Sequence, residues 1–396
     1  MKSWSALWLT FLVFLRLGLT AFGGPIAHLA YFRNEFVQQR KWLSEQAYAE
    51  LVALCQFIPG PASSQVGIAL GLGRAGIFGA IAAWVGFTLP SAIIMVLFAL
   101  GISKFTDAFG YSWLHGLKVF TVAVVAQALL AMGRTLCPDR LRAAFALVAA
   151  ILVLSFPHAA GQIAVIVVGG IAGRLFLHNS IKPQPYVIPM ARLSKMFAIS
   201  SLLLFFGLLV LLPIAVKYFD IPALQQIETF YRAGSLVFGG GHVVLPLLQT
   251  EVISSGSLTN DIFLAGYGAA QALPGPLFTF AAYLGANSSV QPSGWLGAAL
   301  CLLAIFLPAF LLLFGVLPLW ERVRSYKGMI SAVQGINAAV VGLLLAAFYD
   351  PVWTSAIHNK SDFVLATIAF LLLVIWKIPP WLLVILTACA GRAIDS

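Results

Sequence analysis

The sequence predicts an all-α polytopic membrane protein of two inverted-topology repeats, each combining Gly/Pro-broken re-entrant helical hairpins with transmembrane helices. Three observations lead there. The first is composition: 61% of the 396 residues are hydrophobic and only 9% are charged, far from the usage of soluble domains. The second is a repeat. Arg16, Phe22-Gly23-Gly24 and Glu35 recur 216 positions later as Arg232, Phe238-Gly239-Gly240 and Glu251. Pro59-Gly60-Pro61 recurs 215 positions later as Pro274-Gly275-Pro276, and Leu89-Pro90 recurs as Leu307-Pro308. Self-similarity at a fixed offset signals a duplicated architecture. The third is the placement of Lys and Arg, which orients each unit in the bilayer.

Residues 1–177 are read as the first membrane repeat. The apolar stretch after Lys2 carries Arg16 and runs into the first motif, so it reads as mature chain and not as a cleaved signal. The pieces flanking Pro59-Gly60-Pro61, residues 45–58 and 62–73, would rise about 21 and 18 Å as helices. Both fall short of a hydrocarbon core of about 30 Å. Proline and glycine stop the helix between them, so the two pieces read as a hairpin that enters and leaves on one side. The runs 77–101 and 112–133 are long enough to cross. Residues 178–221 form a basic linker, with Pro183, Pro185 and Pro189, and then a connecting apolar span at 196–216. Residues 222–396 form the second repeat, with spans at 294–319 and 328–349.

The hairpins decide the orientation. If every apolar run crossed once, Arg134, Arg140 and Arg142 would face away from Arg33, Arg40 and Lys41, against the positive-inside rule. With hairpins, 15 of the 23 Lys and Arg gather on the cytoplasmic side. The first repeat then begins and ends inside, and the single span 196–216 sends the second repeat in upside down. The loops agree with this. The first-half loop has Arg33, Arg40 and Lys41, whereas 248–263 has no Lys or Arg but holds Glu251 and Asp261.

Broken segments at matching places in two halves point to a transporter's substrate site. Irregular backbone at membrane depth needs a cavity or a protein lining. Helices restarting at Ile26, Ala62, His242 and Leu277 would aim free N–H groups and a positive dipole end inward, a set of oxyanion donors. Gly23, Gly24, Gly239 and Gly240 bring that backbone close. Ser63, Ser64 and Thr279 add hydroxyls in the first turns. Arg16 and Arg232 lie on apolar stretches, where a cation costs about 2.5–3.5 kcal/mol unless it faces a cavity or a partner. Two guanidiniums can neutralise a dianion with bidentate hydrogen bonds, and Arg232 can also pair with Glu228 one turn earlier. Gln56 and Gln271 precede the turns and can serve either a ligand or freed carbonyls. Lys118 and Asn337 occupy matching places in later spans, with Lys118 expected to reach for an interface. His28, His242, Glu35 and Glu251 are candidates for proton coupling, Glu35 and Glu251 being expected at solvated hairpin exits. Cys55, Cys137, Cys301 and Cys389 have no paired spacing, and no phosphate-binding glycine loop occurs. No metal, cofactor or catalytic centre is expected.

Phe-Gly-Gly-Pro at 22–25, followed by Trp42 and the Gln56…Pro59-Gly60-Pro61 turn, resembles the chromate ion transporter family. The second-half motifs are similar to its long, two-domain members. They depart from the first-half pattern in one place, where Gly241 stands instead of a proline. The resemblance implies a multi-pass protein of the bacterial inner membrane that exports chromate and confers chromate resistance, with sulfate as competitor. The net charge of +10 then reflects the positive-inside bias and not a nucleic-acid partner. Expected partners are the oxyanion, membrane lipid and at most a second copy in a homodimer. Exporting a dianion from a cell at about 100 mV, inside negative, gains about 4.6 kcal/mol. An importer of sulfate or another oxyanion would need coupled protons. That reading and an anion channel stand as alternatives.

Overall fold

The computed structural model describes residues 4–109, 112–177, 193–254, 256–320 and 326–394. Described residues are helical throughout, joined by short turns. α1 is Trp4–Thr20, α2 Gly24–Phe32, α3 Glu45–Phe57, α4 Ala62–Phe109, α5 Ser112–Leu136, α6 Arg140–Ser155 and α7 Ala159–Phe176. α8 is Lys195–Tyr218, α9 Pro222–Leu236, α10 Val244–Ser254, α11 Asn260–Ala272 and α12 Phe280–Asn287. α13 is Gly294–Val316, α14 Lys327–Ala347, α15 Lys360–Val374 and α16 Pro380–Ile394. Six spans among the described residues are long and apolar enough to cross a bilayer. The basic linker from 178 to 192 lies outside the described residues.

Local chemistry sets the helix ends. Ser44, Asp139, Ser194, Thr259 and Asn359 each cap a helix by accepting a backbone N–H from the first turn. At Asp139, outside the spans, the Arg142 N–H holds the carboxyl below the usual range. Pro25 and Pro222 sit in first turns, where no N–H is missed. α3 ends before Pro59, as expected. Ala75 and Gly76 leave helical geometry inside α4, so the stretch after the first turn stays short, and a second helical run continues through Pro90.

Small residues let the helices close on one another. A Cβ on Gly18 would fall 2.7 Å from the Phe87 carbonyl, and one on Gly86 would fall 2.7 Å from that of Phe11, locking α1 to α4. Gly169, Gly173 and Gly335 do the same for α7 and α14, and Gly116 and Gly391 for α5 and α16. The halves therefore interlock. α5 packs among α11, α15 and α16, while α14 lies against α6 and α7. The largest apolar core joins residues of α4 and α5 to α10–α14. A second core holds α1–α4 against parts of α8 and α13.

Candidate functional site

The four Gly/Pro breaks come together in space. Gly60 in the first Pro-Gly-Pro turn donates its N–H to the Val237 carbonyl, 2.7 Å away. Gly275 in the second turn donates to the Ala21 carbonyl at 3.0 Å. Val237 and Ala21 each directly precede a Phe-Gly-Gly motif, so each turn is tied to the break of the other half. The two Phe-Gly-Gly breaks also meet: a Cβ on Gly241 would sit 3.6 Å from Pro25 Cγ. Gly24 and Gly240 have φ of +76° and +140°, values that a side chain rarely tolerates. A Cβ at either would meet nothing within 4 Å, so at both positions bare backbone borders open space.

Polar side chains surround this junction. His28 is buried, with Nε2 3.1 Å from the Ala21 carbonyl and Nδ1 3.4 Å from Ser63 Oγ. His242 Nδ1 lies 2.8 Å from the Tyr267 hydroxyl. Ser64 Oγ, Gln271 Nε2 and Asn337 Oδ1 are buried with no hydrogen-bond partner among the described residues. A buried polar atom left so is costly. Asn337 belongs to the second break, since a Cβ on Gly239 would lie 3.6 Å from its Oδ1.

Four expectations need correction. The carbonyl freed at the first turn, that of Pro59, is bonded by Gln65 at 2.8 Å, while Gln56 is exposed. Gln65 was legible only as one amide inside the apolar run 62–73. Second, α2 starts at Gly24, two residues before the expected Ile26, and in the second half tight turns over Gly241–Val243 and Leu277–Thr279 precede α10 and α12. Proline presets the helical φ at position 25, and glycine at 241 does not. At the other turn Thr279 spends both its N–H and its hydroxyl on the Pro276 carbonyl. Third, Lys118 does not stand at the breaks; from a buried stem it reaches an exposed carboxylate at a helix end. It is buried and bonds Asp261 at 2.9 Å, at the end of α11 remote from the turn by about 15 Å of helix rise. Its neighbour Thr121 bonds the Leu264 carbonyl.

The fourth correction concerns Glu35, which is not solvated. A wide π-type turn, Arg33–Gln39, continues α2 and brings Glu35 back to α1. There it is buried between Arg16, at 2.8 Å, and Arg40, at 2.6 Å. Arg16 itself is 62% exposed and shares the outer stripe of α1 with Trp8 and Leu12. In the second half Arg232 is enclosed. Its guanidinium bonds Glu228 one turn earlier and Glu251 at 2.9 Å. Glu251 also borders a cavity of about 90 Å³ with Gln225, Gln226, Thr229, Ser257 and Ser288, beside the cluster and not at the breaks. Both conserved-spacing pairs, Arg16–Glu35 and Arg232–Glu251, thus form across 19 positions.

Comparison with known proteins bears on what this arrangement serves. A family model described as chromate transporter matches residues 8–174 and again 224–392. A chromate transport protein of Pseudomonas aeruginosa is 28% identical over 345 residues, covering 85% of this chain and 79% of the relative. A probable chromate transport protein of Synechococcus elongatus is 28% identical over 389 residues, covering 96% and 93%. A chromate transport protein of Cupriavidus metallidurans is 27% identical over 345 residues, covering 84% and 80%. No solved structure matches the chain.

Proposed function

The chain belongs to the chromate transporter family, and on that premise we propose that it exports chromate, driven by the membrane potential, from a bacterial cytoplasm. It is a multi-pass membrane transporter and not an enzyme. The observation that carries the reading is the junction of the four breaks, where Gly24 and Gly240 offer backbone to open space. A tetrahedral dianion fits such a place because restarting helices supply N–H donors and a positive dipole end. Ser64 Oγ and Gln271 Nε2, buried without a partner among the described residues, are donors such an anion can use. Sulfate has the same shape and charge and competes.

Arg16 and Arg232 lie six residues, about 9 Å of helix, before the breaks. Carboxylates hold both guanidiniums. A dianion can exchange with those carboxylates, which share its oxygen geometry. Glu35 or Glu251, once displaced, becomes the natural acceptor of a proton, with His28 and His242 next to the breaks. Coupling to protons would enter there. The two halves stand as inverted-topology repeats in this scheme, with hairpins around Pro59-Gly60-Pro61 and Pro274-Gly275-Pro276 and alternating access around the junction. The repeat offsets, the Lys/Arg distribution and the reciprocal turn-to-break bonds support it.

The test is chromate flux in proteoliposomes with potential and pH gradient imposed separately. Export on this scheme follows the potential, carries net negative charge outward and is inhibited by sulfate, and any dependence on the pH gradient reads out the coupling. Flux that ignores the potential, or that needs an inward proton gradient to run toward the cytoplasm, would overturn it.

A further inference from the structure

A second polar cluster lies far from the breaks. His115 is in the first turn of α5, and that helix reaches the Gly239 break only near Leu136, about 32 Å away by helix rise. His115 Nε2 is 2.7 Å from Asp362 Oδ1, a contact across 247 positions. Asp362 is fully buried at the start of α15. Its other oxygen accepts the backbone N–H groups of His358 and Asn359, at 3.0 and 3.2 Å. The His358 ring is exposed and lies over that of His115, with centroids 5.7 Å apart and 19° between planes.

We propose that His115, His358 and Asp362 form a binding site for a divalent first-row metal ion of the zinc class, tying α5 of the first half to α15 of the second. One ligand atom from each residue lies within 4.8 Å of the others. Two imidazoles and a carboxylate are a ligand set that suits zinc, with a fourth position left for water. Helix capping accounts for one oxygen of Asp362 and for Asn359, but it does not account for two parallel imidazoles gathered on the other side. The two backbone N–H groups fix the carboxylate, as outer-shell donors do around bound metals. Exposed His358 gives the ion a way in. Nearby cations are committed elsewhere or solvated: Lys118 bonds Asp261, and Lys360 is exposed. With ligands at about 2.0–2.2 Å, a tetrahedral ion needs its ligand atoms about 3.3 Å apart, so binding opens the 2.7 Å contact between His115 and Asp362 and draws the exposed His358 ring in.

The test uses the full chain, without a histidine tag, in lipid nanodiscs. Exposed Cys389 is replaced by serine to remove a competing thiol. Zinc titration with metal analysis should find one saturable ion per chain and a rise in melting temperature. His358→Ala alters an exposed side chain and should leave the fold intact. It should weaken zinc binding by more than the roughly 10–100-fold that losing an outer-shell partner costs. Asp362→Asn should do the same while keeping the cap. Cobalt in place of zinc should show visible absorption that both variants lose. Absence of saturable zinc binding, or equal binding by wild type and His358→Ala, would overturn the proposal whatever the transport assay shows.

Discussion

In the first half one carboxylate, Glu35, is shared by two guanidiniums; in the second, one guanidinium, Arg232, is shared by two carboxylates. The Arg–Glu pair is common to both, and the third member differs. Arg40 has Gly256 at its counterpart, and Glu228 has Leu12. The first cluster carries a net positive charge and an open Arg16. The second carries a net negative charge and is enclosed, with Arg232 19% exposed. A duplicated pair has thus been given opposite surroundings by one extra residue in each half. On the proposed scheme the open, cationic cluster is the better recruiter of a dianion. The enclosed, anionic one is the better structural lock and the better place for a proton.

The largest expected effect tests whether the halves are inverted at all. Lys41→Cys and Ser257→Cys, at equivalent positions in a background lacking Cys389, should react with an impermeant maleimide from opposite faces of the membrane. Labelling of both from one face ends the comparison as a pair of inverted units. Next comes stability. Arg232→Gln leaves Glu228 and Glu251 facing each other without their cation, and breaking such an enclosed pair costs about 3–5 kcal/mol. A large fall in melting temperature is expected, and Glu228→Gln added to Arg232→Gln should recover part of it. A wild-type melt for Arg232→Gln would show that the second cluster is not a lock.

Arg16→Gln should behave differently. Arg40 still holds Glu35, and Arg16 is open, so melting should stay close to wild type. Chromate affinity should fall by about 10- to 150-fold, the equivalent of about 1.5–3 kcal/mol for one charge-assisted contact. Arg16→Lys should fall less far, keeping the charge but not the planar fork. Unchanged affinity in Arg16→Gln, measured by flux against chromate concentration, would remove Arg16 from the site. The smallest effect concerns a place where the halves are alike. Gly24→Ala and Gly240→Ala each force a side chain into a positive-φ backbone, at about 1–3 kcal/mol. With open space at both, each cost is a backbone cost and should stay within that range. A much larger loss of stability in one would mean that its surroundings are closed.

Several of these features could be read from the chain alone because they depend on one to three adjacent residues. Gly and Pro stop helices wherever they stand, so the breaks at 22–25, 59–61, 238–241 and 274–276 were visible. The stop before Pro59 followed from the same chemistry. So did the membrane class, since apolar runs of that length have no soluble alternative. The recurrence of Arg and Glu 19 positions apart was also on the page, and both pairs form.

What tertiary structure decided is which groups those stops and charges meet. Nothing local says that Gly60 will bond Val237, or that Gly275 will bond Ala21. Those partners arise because glycine contacts let distant helices approach until each turn lies under the other half's break. Glu35 was expected at a solvated hairpin exit, and it is buried because a π-type turn swings it under α1. Lys118 looked like a snorkelling cation near a helix start, and it is held by Asp261 because α5 is packed inside the second half. His115 and Asp362 meet across most of the chain for the same reason. A buried polar group takes the partner that helix packing brings within reach, and packing depends on backbone approach over hundreds of positions, which periodicity and spacing do not encode.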